Sequence, residues 1–148
     1  MTPPRDSRFR AACQIRVRYA DTDAMGVVYY ANYLAFFESA RVEYIRAIGC
    51  SYREMEESGV VAAVTEAHCK YVAPARFDDL LTIYVRIERL RKVSMSFSYE
   101  VWRDEDSSLL TEGTTSHACL NRQTLRPMAL PEAFRSAVLS YEGSEVAQ

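Results

Sequence analysis

The chain has 148 residues, 49% of them hydrophobic, and a formal net charge of −2, enough apolar material for one ordinary domain with its own core. The slightly acidic balance, with arginines scattered along the chain, argues against a general nucleic-acid or anionic-membrane surface, and no apolar run is long enough to span a bilayer. Cys13, Cys50, Cys69 and Cys119 form no Cys-x-x-Cys pair and no signal-peptide pattern precedes them, so a reduced, cytoplasmic setting is expected.

Residues 1–12 carry Pro3, Pro4, Arg5, Arg8 and Arg10 without apolar periodicity and read as a mobile tail, as do 142–148, leaving a single domain over 13–141. From Gln14 to Tyr19, Ile15, Val17 and Tyr19 alternate with Arg16 and Arg18, the pattern of a half-buried strand. An acidic loop containing Gly26 then feeds a helix from Leu34 to Ile48, where Leu34, Phe37, Ala40, Tyr44 and Ile48 fall at helical spacing. Phe36, Val42 and Ile45 widen the apolar face, so most of its circumference seeks burial. Asn32 or a near neighbour is placed to cap its start, and Gly49 to end it. Residues 51–58, with Tyr52 and Met55, form a short helix stopped by Gly59.

Val60 to Ala73 reads as a long strand closed by Pro74. Leu81, Ile83, Val85 and Ile87 alternate with polar neighbours, and so do Met95, Phe97, Tyr99 and Val101 across a short link, which implies antiparallel strands. A turn at 104–107 leads to a further strand from Leu109 to Asn121, where Gly113 suggests a bulge, and 131–141 forms a terminal helix with Phe134, Val138 and Leu139 inward. One long apolar helix and about five strands joined by short turns give an α+β domain in which a curved antiparallel sheet wraps the helix. Thr82, Tyr84, Ser96, Ser98 and Trp102 fall on the other sheet face, and their mixed character suits a subunit interface.

The stretch Asp21-Thr22-Asp23-Ala24-Met25-Gly26-Val27-Val28-Tyr29-Tyr30-Ala31-Asn32-Tyr33 resembles the 4-hydroxybenzoyl-CoA thioesterase family of hotdog-fold acyl-CoA thioesterases, most of all the branch associated with the bacterial Tol-Pal operon. The segments 71–80 and 112–120 are similar to later parts of that family. The resemblance implies a hotdog fold and thioester hydrolysis without a cofactor. Acyl-CoA is then the substrate, an acyl-carrier protein an alternative donor, and the state a homodimer or homotetramer. It carries the nucleophile or general base to Asp23 and the backbone donor for the carbonyl oxygen to Tyr30, within the loop that Gly26 shapes. Relatives in the operon branch often have histidine where this chain has Tyr30, so that imidazole is absent here.

The chemistry is consistent with these residue types. Thioester cleavage needs a group that attacks or activates water and donors for the developing oxyanion, and a loop carboxylate beside a helix N-terminus supplies both. Tyr29, Tyr33 and Phe37 are candidate pocket walls for a short-chain or aromatic acyl group, although each would equally pack a core. Arg89, Arg91 and Lys92 form the best cation cluster for the phosphates of coenzyme A, with Arg122 and Arg126 second, against the plainer reading as charged turn residues. The resemblance of this turn to the family's nucleotide-contacting segment favours Arg91, Lys92 and the adjoining Ser94. Taken without the resemblance, Asp-Thr-Asp is an Asx turn or a helix cap. Glu38 and Arg41 are spaced for an ion pair, with Glu38 facing the acyl pocket as the alternative. His68, Cys69, His117 and Cys119 lack the arrangement of a catalytic zinc site and are read as packing residues, so no metal is expected. No Gly-x-Ser-x-Gly elbow is present. A non-catalytic acyl-CoA or carrier-protein binding module is the main alternative, and a hotdog dehydratase or hydratase a third.

Overall fold

The computed structural model describes residues 8–143 and Val146. Residues 1–7, 144, 145, 147 and 148, which belong to the two expected tails, lie outside the described residues. Both domain boundaries nevertheless extend past those expected. The first strand, β1 (Arg10–Arg16), begins inside the expected N-terminal tail, hidden from the sequence because most of its residues stay partly or fully exposed and show no clean alternation. At the other end Glu142 is buried, accepting from Tyr44 Oη (2.5 Å) and from the Ile87 N–H (3.0 Å).

The central helix α1 (Asn32–Ala47) buries Tyr33, Phe37, Ala40 and Tyr44, one stripe at helical spacing. Gly49 ends it with φ +89°, a backbone conformation natural to glycine after a helix. A short helix, α2 (Tyr52–Glu57), starts at Ser51, whose Oγ accepts from Glu54 N–H at 3.4 Å. The remaining elements are β2 (Val60–Tyr71), β3 (Leu80–Leu90), β4 (Ser94–Arg103), β5 (Ser108–Asn121) and a terminal helix α3 (Glu132–Glu142). The five strands form one antiparallel sheet in the order β1-β3-β4-β5-β2. Short turns make β3, β4 and β5 neighbours, and the strands with long connections occupy the edges.

The inward alternation of β3 and β4 holds: Ile83 faces Val101, Val85 faces Tyr99 and Ile87 faces Phe97, all buried beneath α1. Gly113 does not mark a bulge. The register runs unbroken through it, from Cys69 across to Tyr99. A Cβ there would stand 2.4 Å from Phe37 Cε2 and 2.9 Å from the His68 carbonyl oxygen, so the glycine makes room for the Phe37 ring, which stacks on Tyr99 at 4.2 Å. Gly113→Ala is expected to cost about 1–3 kcal/mol through overpacking. Denaturant unfolding checks it, and an unchanged midpoint would contradict this packing.

The expected interface face is also corrected. Thr82, Tyr84, Ser98 and Trp102 are buried within the single chain and Ser96 is half-buried, with Thr82 Oγ1 donating to Asp104 Oδ1 (2.6 Å) and Trp102 Nε1 to Glu100 Oε1 (3.0 Å). What remains open are the two edge strands, β1 paired only to β3 and β2 paired only to β5 among the described strands, and β2 carries large exposed apolar side chains. Val64 on it is 54% exposed and Tyr71 47%.

Candidate active site

The two aspartates of the loop have different environments. Asp21 closes a short 3-10 turn (Tyr19–Asp21) and is buried. Arg18 holds it through Nη2 to Oδ1 and the Arg18 N–H to Oδ2, both 2.9 Å, and these contacts keep the Asp21 carboxyl below the usual carboxylate range. Its backbone carbonyl accepts from the Tyr29 N–H and from Asn32 Nδ2, each at 2.9 Å. Asp21 is thereby a structural residue, its carboxylate fully engaged.

Asp23 sits at the base of a tight turn. Its N–H donates to Val27 O, its C=O accepts from the Gly26 N–H, and its Oδ1 accepts from the Met25 N–H, all at 2.9 Å. Gly26, at φ +78°, lets the chain double back. Val28 N–H donates to Ala75 O at 2.8 Å, which ties the turn to the segment after β2. Asp23 Oδ2 has no protein hydrogen bond among the described residues, so the carboxylate is oriented by one oxygen and open at the other.

The start of α1 is uncapped by any side chain. Asn32, expected as a cap, instead sends its amide to Asp21 O and its N–H to Tyr29 O (2.9 Å). The N–H groups of Tyr30, Ala31 and Tyr33 have no partner among the described residues, leaving the positive end of the helix open. The Tyr30 carbonyl accepts from Tyr71 Oη at 2.9 Å.

Asp23, Val28, Tyr30, Tyr33, Tyr71 and residues 72–74 line a cavity of about 310 Å³. The fold thus brings together Asp23, Tyr30 and Tyr33 of the expected site. Gly26 shapes the turn without lining the cavity. Tyr29 lies outside it, its ring against Tyr30 at 4.6 Å. Phe37 is no pocket wall: it is fully buried in the core against Tyr99 and Gly113.

Arg91, Lys92 and Ser94 stand at the far end of the sheet. Arg103, at the other end of β4, donates to Pro74 O beside the cavity, and nine strand steps at about 3.3 Å put the turn about 30 Å away. The residues that sequence reasoning missed are Tyr71 and Val72 to Pro74, whose signal was the proline that stops β2 and turns the chain back toward the Asp23 turn. A second cleft, of about 360 Å³ and lined by Phe9, His68 and Glu112, includes none of the Asp23 turn or the α1 start.

Arg41 does not pair with Glu38. Its Nη1 donates to Tyr99 Oη (3.2 Å), which contacts Thr115 Oγ1 (2.6 Å), which meets His117 Nε2 (2.8 Å). Burial, then the Arg41 charge, pushes His117 down to about 4. The imidazole is therefore neutral at physiological pH, a packing residue set edge-on to Phe97 at 5.4 Å. Glu38 is exposed on the helix surface. Among the described residues no group of three His, Cys, Asp or Glu side chains is arranged to hold a metal ion.

A buried helix wrapped by a five-stranded antiparallel sheet in this order, with a carboxylate turn at the helix start, defines a hotdog-fold protein. The family profile described as the thioesterase-like superfamily matches residues 17–138, and the chain belongs to that superfamily. It is 38% identical to the acyl-CoA thioester hydrolase YbgC of Escherichia coli over 80% of this chain and 88% of that protein. It is 30% identical to the 1,4-dihydroxy-2-naphthoyl-CoA hydrolase of Thermosynechococcus vestitus, over 80% of this chain and 82% of that one. The crystal structure of TT1821 from Thermus thermophilus superposes with a TM-score of 0.83 at 34% identity, covering 89% of this chain and 99% of that one. No helix among the described residues is long and apolar enough to cross a membrane.

Proposed function

We propose that the protein is an acyl-CoA thioesterase that hydrolyses a short-chain or aromatic acyl-CoA to the free acid and coenzyme A, in the manner of the 4-hydroxybenzoyl-CoA thioesterases and their Tol-Pal-associated branch. The observation that carries this reading is that Asp23, whose carboxylate has one oxygen without a partner among the described residues, and Tyr30, whose helix-start N–H has none among them either, border one cavity. The thioester carbonyl oxygen takes the Tyr30 N–H as its donor. Asp23 either attacks the carbonyl carbon, giving a mixed anhydride that water then opens, or removes a proton from the attacking water. In both routes the C–S bond breaks, the thiolate leaves and is protonated, and the acid is released. Tyr30 contributes no imidazole, so the acid-base work falls to Asp23 and solvent.

The cavity volume of about 310 Å³ is at the low end of small-molecule sites, which run from about 300 to about 1,000 Å³. Tyr30, Tyr33 and Tyr71 give it aromatic walls, suited to a ring or a short chain. Similarity to a hydrolase of 1,4-dihydroxy-2-naphthoyl-CoA supports the aromatic option. Thiol release from acetyl-, benzoyl- and palmitoyl-CoA tests it: kcat/KM for acetyl- or benzoyl-CoA should exceed that for palmitoyl-CoA by at least about tenfold, as a fit worth about 1.4 kcal/mol would give. The reverse order would overturn the substrate class.

The working unit in this proposal is a homodimer joined antiparallel along β2, whose open edge and exposed Val64 and Tyr71 favour strand addition by a second copy. Such pairing sets the 91–94 turn of one copy on the side of the other copy's cavity. Arg91 and Lys92 are exposed, with the turn held by Arg91 N–H to Ser94 O (2.8 Å) and Leu130 N–H to Lys92 O (2.9 Å). Replacing both by Ala should raise KM for acyl-CoA about tenfold or more, with kcat nearly unchanged, as loss of charge-assisted phosphate contacts predicts. An unaltered KM would remove them from the substrate site.

A further inference from the structure

We infer that Tyr71 is a positioning residue for the oxyanion site, and that through it the Ala31 N–H becomes a second donor beside that of Tyr30. The inference rests on the thioesterase reading above. Two consecutive peptide planes meet at the helix start. The first, between Tyr29 and Tyr30, is held through its carbonyl by the Asn32 N–H (2.9 Å). The second, between Tyr30 and Ala31, is held through its carbonyl by Tyr71 Oη (2.9 Å), and no other partner of that carbonyl is found among the described residues.

In a trans peptide the N–H points opposite to the C=O. Fixing the two carbonyls therefore fixes the directions of the Tyr30 and Ala31 N–H groups. Ala31 is already helical, at φ −71° and ψ −20°, so its N–H is directed toward the N-terminal end of α1, while the Tyr30 N–H lies in the plane that the Asn32 N–H holds. Neither the Tyr30 nor the Ala31 N–H has a partner among the described residues. Two aligned donors stabilise a developing oxyanion better than one, provided neither has to reorganise during the reaction.

Tyr71 is itself held in place. Its ring meets Tyr33 edge-on at 5.5 Å, and Tyr33 is a buried residue of the first turn of α1. Burial first, then the Cys69 thiol, pushes the Tyr71 phenol up to about 12, so the hydroxyl remains a donor across the working pH range. Tyr71 is also the last residue of the edge strand β2, which connects the oxyanion geometry to whatever pairs with that edge.

The test separates the hydroxyl from the ring. Tyr71→Phe keeps the packing against Tyr33 and removes only the donor. It should lower kcat by about tenfold to about 100-fold, the range expected when an aligned donor is loosened, with KM within about twofold and an unchanged melting temperature. A kcat within twofold of wild type, or a loss tracking a lowered melting temperature, would overturn the inference. Asp23→Asn is assayed alongside. If it is inactive while Tyr71→Phe is normal, only the positioning role fails; if both turn over normally, the thioesterase site itself is misassigned. Should Tyr71→Phe prove too unstable to assay, the amide resonances of the wild-type protein are followed during titration with benzoate, an acid of the product class. The Ala31 and Tyr30 amides should shift together, and a Tyr30 shift with Ala31 stationary would overturn the second donor.

Discussion

Asp23→Asn is expected to lower kcat for thiol release by about 10³-fold, within the range of about 10² to about 10⁴ for loss of a positioned acid-base group. The substitution is nearly silent for the fold. Asn retains an Oδ1 that accepts from the Met25 N–H, and the turn's other bonds, Asp23 N–H to Val27 O and Gly26 N–H to Asp23 O, are made by backbone. What it loses is the charge on the free oxygen and its capacity to attack carbon or accept a proton. Steady-state thiol release together with a thermal melt separates the two effects: activity should collapse while the melting temperature stays within about 2 °C, since an isosteric substitution that keeps the turn's hydrogen bonds should cost under about 0.5 kcal/mol. Near-wild-type turnover would remove Asp23 from the chemistry. The contrast with Asp21 sharpens this, because that carboxylate is tied to Arg18 at both oxygens and belongs to the loop's architecture.

Phe37→Ala should be the most damaging substitution for stability, at about 3–5 kcal/mol. The ring is fully buried, parallel to Tyr99 at 4.2 Å and set in the notch left by Gly113. Deleting it opens a void between α1 and the centre of the sheet that rigid strands cannot fill. Against a typical total of about 5–15 kcal/mol, the variant should still fold when cooled, and there its order of preference among acyl-CoAs should match the wild type. A changed acyl preference with little loss of stability would return Phe37 to the pocket wall.

The difference between Phe37 and Tyr33 shows what the sequence makes legible. Periodicity predicts correctly that Phe37 is buried, but the predicted helix begins at Leu34 and so leaves out Tyr33, which is buried four residues before Phe37, while Leu34 itself is 39% exposed. Periodicity is silent on which of Tyr33 and Phe37 ends at the cavity, because that depends on how far along the helix the sheet closes. The strand alternation of β3 and β4 was equally readable, since each strand is buried on its inner face by a single helix. The outer face was not, because Tyr84 and Trp102 carry apolar bodies that burial within the chain covers as readily as a second subunit would. Asp23 and Tyr30 stood out through the order of residues in one stretch. Tyr71 did not, since its partner is a backbone carbonyl 41 residues away, a contact that leaves no mark on composition or spacing. Arg91 and Lys92 were recognised as a cation cluster, but their separation from Asp23 along β4 is a property of sheet geometry alone.

The most direct test of the account is to mix purified wild-type protein with a large excess of benzoyl-CoA and quantify free thiol and benzoate together. Hydrolysis predicts that both accumulate in equal amounts, far beyond one equivalent per chain, and that neither does so with Asp23→Asn. Tight binding of benzoyl-CoA without thiol release would contradict it and identify the protein as a module that recognises acyl-CoA without cleaving it.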